Sequence, residues 1–287
     1  MLAEAVEFLI CPHCGGELRQ NGASLICSRG HTANIARQGY VSLLGRHSGT
    51  HTADSAAMVA ARERVLGGGI FDPVAAAIGV AVAEPEFAAV EGAVVDLGSG
   101  PGHYLVRALE AAPDRIGVAV DNSKYAARRA ARAHPRAGAV VADIWDGIPV
   151  RSGAAAVVLN VFAPRNGEEI ERILAPGGRL LTVTPGPDHL KELLEPLSLI
   201  SVDSDKEGRL RETLAPLGGD PGAVPIGWTS DLGRDEVADL VAMGPNAGRL
   251  DEADLEAALD ALEYPVAVTF SVNLLQVTKP ETGTEEG

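Results

Sequence analysis

From residue 93 onward the apolar residues of this chain arrive in short bursts, and between the bursts they thin to a helical spacing. Val94–Leu97, Ile116–Val120, Ala139–Ala142, Ala155–Phe162 and Arg179–Thr184 are dominated by Val, Leu, Ile and Ala with little polar interruption. Apolar runs without alternation are the pattern of strands buried on both faces, as in parallel sheets. The segments near 103–112, 123–133, 167–174 and 188–197 recur at helical period. Strand–helix alternation of this kind predicts an α/β chain with a doubly wound, Rossmann-like sheet. Three more helices are expected near 206–215, 234–242 and 251–262, then a long strand over Val266–Val277.

Upstream the pattern changes. Asp54 or Ser55 can cap a helix running to about Leu66, stopped by Gly67-Gly68-Gly69, and Asp72-Pro73 starts another. Gly45 to Asp54 is small and polar and reads as a linker, and Thr282–Gly287 as a frayed acidic tail. These breaks predict a small module over 1–45, a linker and connecting helix over 46–78, and the main domain over 79–287.

The small module holds all three cysteines of the chain. Cys11-Pro-His-Cys14 offers two sulfurs to one metal, and Cys27 with His31 can close a tetrahedron around Zn2+. His13, inside the first knuckle, is expected to be exposed rather than a ligand. With no cysteine after residue 27, the set suits a metal site in a reducing compartment, hence a cytoplasmic protein. No apolar stretch is long enough to span a bilayer, and no basic, apolar leader opens the sequence.

Charge adds a constraint. The 287 residues carry a formal −15, with about +1 through Ile70 and the deficit after it. Such a body does not bind nucleic acid indiscriminately, since phosphate contact relies on Lys and Arg. One stretch runs the other way: Lys124, Arg128, Arg129, Arg132 and Arg136 stand with no acid between Ser123 and Arg136. Arg128, Arg129 and Arg132 are therefore candidate RNA contacts, or else an ordinary solvated helix face.

Where the first buried strand ends, Asp96-Leu97-Gly98-Ser99-Gly100-Pro101-Gly102 turns into the next helix. This is the crevice at which open α/β sheets bind ligands. The third glycine comes one residue too early for the dinucleotide fingerprint. The spacing instead resembles the first motif of class I S-adenosylmethionine-dependent methyltransferases. Asp121 at the second strand end suits a ribose, and Asp143-Ile144 at the third suits an adenine with an apolar face. Taken singly, Asp121 is equally a helix cap and Asp143 a turn residue.

Several stretches together resemble the 23S rRNA (guanine-N1)-methyltransferases, and in particular their macrolide-resistance branch. They are the Cys/His set, Arg37–Leu44, Asp54–Arg62, Asp96–Gly102, Asn160-Val-Phe-Ala-Pro-Arg-Asn166, and Pro176-Gly-Gly178 leading to Thr184–Leu190. The resemblance implies S-adenosyl-L-methionine and Zn2+ as cofactors, and guanine N1 in hairpin 35 of 23S rRNA as acceptor. It also implies tylosin-type resistance, an RNA-recognising zinc module and a homodimer. By position it makes Cys11, Cys14, Cys27 and His31 metal ligands, and places Phe71, Gly100, Pro101 and His189 against the cofactor, with Asp121 on its ribose. Phe71 could equally be a core aromatic, and His189 a packed helix-start residue. Asn160 is expected to orient the acceptor base, or to cap its strand end by bonding the backbone. No pattern singles out a general base. The competing class is a small-molecule methyltransferase that keeps the zinc module as scaffold.

Overall fold

A computed structural model describes residues 2–45, 52–200, 206–218, 222–247 and 251–281. Most of the expected linker, residues 46–51, and the expected tail, 282–287, lie outside the described residues.

The N-terminal strands are β1 (Leu18–Asn21), β2 (Ser24–Cys27) and β3 (Thr32–Asn34), a small antiparallel sheet in that order. The others are β4 (Tyr40–Ser42), β5 (Ala93–Leu97), β6 (Gly117–Asp121), β7 (Ala137–Val141), β8 (Ala155–Val161), β9 (Leu174–Pro185), β10 (Gly222–Leu232) and β11 (Val266–Thr278). These form one sheet in the order β10-β11-β9-β8-β5-β6-β7-β4. From β9 to β4 neighbouring strands are parallel, and β11 and β10 close the far edge antiparallel. The doubly wound expectation holds, with a long antiparallel pair added.

The uniform apolarity of the central strands has its cause in the layers. Every residue of β5, β6, β7 and β8 is buried. Alternate residues serve different cores: Val94, Ala119, Val157 and Leu159 face one side, and Val95, Leu97, Val118, Val120 and Val158 the other. The helix Lys124–Ala133 shows the complementary pattern. Ser123 caps it, its hydroxyl accepting from the amides of Tyr125 and Ala126. Ala126, Ala127, Ala130 and Ala131 pack inward, leaving the arginines outside. The helix Ala56–Gly67 starts on Ser55 and ends in the glycine run, as expected.

Three differences matter. Arg37–Leu44, for which the sequence pattern predicts no element, contains β4, which pairs with β7 through Tyr40–Ala139, Val41–Val140 and Ser42–Val141. The expected boundary at residue 45 therefore falls after a strand of the large sheet. The module shares its core too, because Cys11, Leu18, Leu25 and Cys27 belong to the same buried cluster as Val118, Val140 and Ala142. Second, the helix expected over 188–197 shrinks to Lys191–Leu194. Leu190 before it sits at φ 59° with its N–H donated to Thr269 O, and Glu192 accepts from the Thr269 amide and hydroxyl, tying the segment to β11. Third, β10 carries Pro225, Gly222 and Gly227, which obscure a strand in sequence. An edge strand tolerates them, and β10 pairs along its whole length with β11. Among the described residues no single helix is long and apolar enough to cross a membrane.

Candidate functional site

The metal quartet assembles as predicted. The first knuckle closes with Cys11 N donating to Gly16 O and the amides of Cys14 and Gly15 donating back to Cys11 O, Gly15 taking φ 67°. The four donor atoms of Cys11, Cys14, Cys27 and His31 lie within 4.8 Å of one another. Metal bonds of about 2.3 Å to sulfur and about 2.0 Å to nitrogen give a regular tetrahedron edges of ~3.8 Å (S···S) and ~3.5 Å (S···N). The observed separations are 3.7 Å for Cys14 Sγ–Cys27 Sγ, 3.5 Å for Cys11 Sγ–His31 Nδ1 and 3.4 Å for Cys27 Sγ–His31 Nδ1. The donor set thus fits Zn2+ both by chemistry and by size. The His31 amide also donates to Cys27 Sγ at 3.3 Å, which stabilises a thiolate. His13 is exposed, its ring 5.2 Å from that of His31.

At the C-terminal end of β5 the chain reverses through Gly98, Gly100 and Gly102, all at positive φ (72°, 53° and 90°). Gly98 has a second reason to be glycine: a Cβ there would stand 2.4 Å from the Ala163 methyl group. The turn is held from the neighbouring strand end. Asp121 Oδ2 accepts from Gly100 N at 2.8 Å, and Oδ1 from Ser123 N at 2.8 Å. The helix cap is Ser123 and not Asp121, which instead ties the glycine turn to the helix start, and each of its oxygens retains a further lone pair for a hydroxyl donor. Burial raises the Asp121 pKa, against the pull of those two amides. Asp96, on the strand below, is wholly buried; desolvation and then the Asp121 charge push its pKa up to about 8. Asp96 Oδ2 and Ser99 Oγ are buried without a hydrogen-bond partner. A turn with open acceptors over two crowded carboxylates suits a cationic, amine-bearing ligand such as S-adenosylmethionine. Pro101 and Gly102 complete it. Asp143 accepts from Trp145 N at 3.0 Å and caps the short turn Ile144–Asp146, with Ile144 buried beside it.

Phe71 and His189, 118 positions apart in sequence, meet here. Phe71 is only 2% exposed and lies edge-on to Phe162, Trp228 and Phe270 at 5.8, 5.9 and 5.3 Å. Its burial is that of a core aromatic. His189 stacks on Phe162 at 5.9 Å, and its Nδ1 accepts from Ser271 N at 3.3 Å, which leaves the neutral ring's proton on Nε2.

Asn160 lies near the end of β8. It is 0% exposed, and its amide is already engaged inside the protein. Nδ2 donates to Pro164 O at 2.8 Å and, at 3.4 Å, to Leu97 O. Oδ1 accepts from Arg165 Nε at 3.0 Å and Thr182 Oγ1 at 3.1 Å. These are the bonds of the strand-end reading, and they fix the loop 162–166.

Arg128, Arg129 and Arg132 project from the outer face of Lys124–Ala133, away from the sheet. Arg129 pairs with Glu63 at 3.1 Å. Arg136 turns inward onto the carbonyls of Leu109, Ala112 and Arg115. Sequence reasoning missed Arg62. Its side chain passes 3.3 Å from where a Gly100 Cβ would be, and it is held by Asp54 at 2.5 Å and by Met243 O at 2.7 Å. Ser123 Oγ in turn donates to Asp54 O at 2.7 Å. Thus the stretch Asp54–Arg62 lies across the glycine turn, a placement its local pattern did not signal.

Comparison with known proteins bears on both parts. A family model described as the N-terminal zinc ribbon of RlmA matches residues 9–48. A 23S rRNA (guanine(748)-N(1))-methyltransferase of Streptomyces fradiae is 46% identical over 95% of this chain and 98% of its own. A Micromonospora griseorubida protein described as a "putative 23S rRNA (guanine-N(1)-)-methyltransferase" is 44% identical over 96% and 98%.

Proposed function

Because the chain belongs to the family of 23S rRNA (guanine-N1)-methyltransferases, we propose that it methylates N1 of a guanine in hairpin 35 of 23S rRNA. The acceptor is the position carried in the Streptomyces fradiae relative's name, guanine 748, and the outcome is tylosin-type macrolide resistance. The observation that carries this reading is the joining of a zinc-fitting quartet and a glycine–carboxylate crevice by one sheet and one core.

Within it each residue has a role. Cys11, Cys14, Cys27 and His31 would hold Zn2+ and so fold the ribbon. The turn Gly98–Gly102 with Asp96, Ser99 and Asp121 would hold S-adenosylmethionine, with Asp143 and Ile144 at its adenine end and Phe71 and His189 along its other wall. That cofactor supplies, when bound, an electrophilic methyl group on a sulfonium. The chain's own part would be to orient guanine N1 in line with that methyl group, exclude water and leave the N1 proton a path to solvent. The buried aromatic wall contributes the exclusion. Asn160 acts indirectly, by holding the loop 162–166. Arg128 and Arg132 supply phosphate contacts, and a loop guanine, already unpaired, is the least costly base to splay inward.

The test is incubation with methyl-labelled S-adenosylmethionine and unmodified 23S rRNA fragments containing hairpin 35, with the product base mapped by mass spectrometry. Label on one guanine N1 is expected. Absence of label from a protein that binds the cofactor would overturn the rRNA reading and favour a small-molecule acceptor.

A further inference from the structure

Phe162 combines two unfavourable features at the edge of the crevice. It is a bulky residue at φ 52°, a left-handed conformation that costs of order 1 kcal/mol or more without glycine. It also leaves 40% of its surface exposed, although the chain has only five phenylalanines. Neither feature is incidental to a floppy loop. Phe162 N donates to Val183 O at 3.1 Å, and the next residue, Ala163, is wedged against Gly98. Beyond it, Asn160 holds Pro164 O, while Arg165 bridges Asn160 Oδ1 and, at 3.2 Å, Ala163 O. A part-buried amide–guanidinium network therefore enforces the strained turn rather than relaxing it. The ring is aimed as well. Its partners are His189 at 5.9 Å (29° between planes) and Phe71 at 5.8 Å (75°). One side is backed by aromatic groups, and the exposed part of the ring lies at the end of β8 beside the glycine turn.

We propose that Phe162 is the stacking surface for the acceptor base, with His189 and Phe71 as its backing. The inference rests on the guanine-methylation reading and adds to it the group that holds the base plane. A planar purine offers a broad π face to an aromatic ring, and an edge-supported ring cannot turn away when the base enters. The Asn160–Arg165 network then has a purpose that neither strand capping nor cofactor binding requires: it keeps the ring at the required angle.

The experiment compares Phe162→Leu and Phe162→Tyr with the wild-type protein, using hairpin 35 RNA, and measures kcat and KM for RNA, the Kd for S-adenosylmethionine and the Tm. Leu keeps apolar bulk but has no π face; Tyr keeps the face. Loss of base stacking predicts a fall in kcat/KM for RNA of about 5- to 150-fold in Phe162→Leu. Phe162→Tyr should stay within about threefold of wild type, and cofactor Kd should be unchanged in both. Wild-type kcat/KM in Phe162→Leu would overturn the inference. So would a parallel loss of cofactor affinity, which would make Phe162 a wall of the cofactor site, or equal losses in Leu and Tyr. A wild-type protein inactive on this RNA would instead refute the rRNA reading itself.

Discussion

Replacing Arg136 by alanine separates two meanings of the same basic run. In sequence Arg136 ends a series that looks like a phosphate-binding stripe; in the fold its guanidinium sits behind the helix His103–Ala111. It donates to Leu109 O, to Ala112 O at 2.8 Å and to Arg115 O at 2.5 Å. These are carbonyls of the helix C-terminus and the turn after it, where the helix dipole also favours a cation. Hydrogen bonds from a charged donor contribute about 1.5–3 kcal/mol each, and a partly exposed site takes less, so about 1 kcal/mol per bond is a fair value. Three bonds give a loss of roughly 3 kcal/mol, which for a chain of this size is a Tm decrease of roughly 6–12 °C. Arg136→Lys keeps the charge but not the planar fork, and should fall about halfway. Differential scanning calorimetry gives the Tm, and filter binding at several salt concentrations gives RNA affinity. Arg136→Ala should melt early while its salt slope for RNA stays that of wild type. The combined Arg128→Glu and Arg132→Glu change should do the reverse. A wild-type Tm for Arg136→Ala together with a shallower salt slope would refute this reasoning and make Arg136 a phosphate ligand.

Three further outcomes follow from the site. Asp121→Asn turns one acceptor into a donor facing a backbone N–H, so the glycine turn should loosen by about 1–3 kcal/mol; calorimetric titration should show at least a tenfold weaker cofactor. Asp96 carries a folded-state pKa of about 8 against 3.8 for the ordinary group, so the folded protein holds the extra proton between those values. Stability from this residue is therefore highest at low pH and falls by up to about 1.4 kcal/mol per pH unit until pH passes about 8. Urea melts of Asp96→Asn should lack that slope, and identical slopes in both proteins would contradict the assignment. Cys14→Ser, or a strong chelator, should release zinc and expose the amides of β1–β3 to hydrogen exchange. Full zinc content and unaltered exchange in Cys14→Ser would remove it from the ligand set.

What the sequence made legible follows from how locally each feature is encoded. The zinc quartet and the glycine turn are short-range geometries, set by Cys/His spacing and by residues that accept positive φ, and both could be read from a few consecutive letters. The central strands were legible because burial on both faces leaves a uniform apolar record. The failures all depend on distant partners. β4 is three residues long and acquires meaning only from β7. β10 reads as a loop until β11 is beside it. The 188–197 helix gives way because Thr269, some eighty positions later, takes the hydrogen-bonding groups of Leu190 and Glu192. Asn160 was correctly noticed, yet whether its amide meets a ligand or Pro164 and Arg165 depends on the path of the following loop. Arg62 and Phe162 lay inside stretches already marked by resemblance, but no local pattern distinguishes an arginine or a phenylalanine that faces a crevice from one that does not.

The seam between β4 and β7 has a mechanical meaning. Six residues after His31 the chain turns into the segment that enters the large sheet, and cysteine sulfurs share a packed interior with the strand next to Asp121. Ribbon and crevice are in this way parts of one stiff body and not beads on a string. Under the proposed function, an RNA held at the ribbon would be offered to the methyl donor at a set reach. Choice among neighbouring guanines would then be a measurement of length, made by a frame whose calibration lies in three residues of parallel strand.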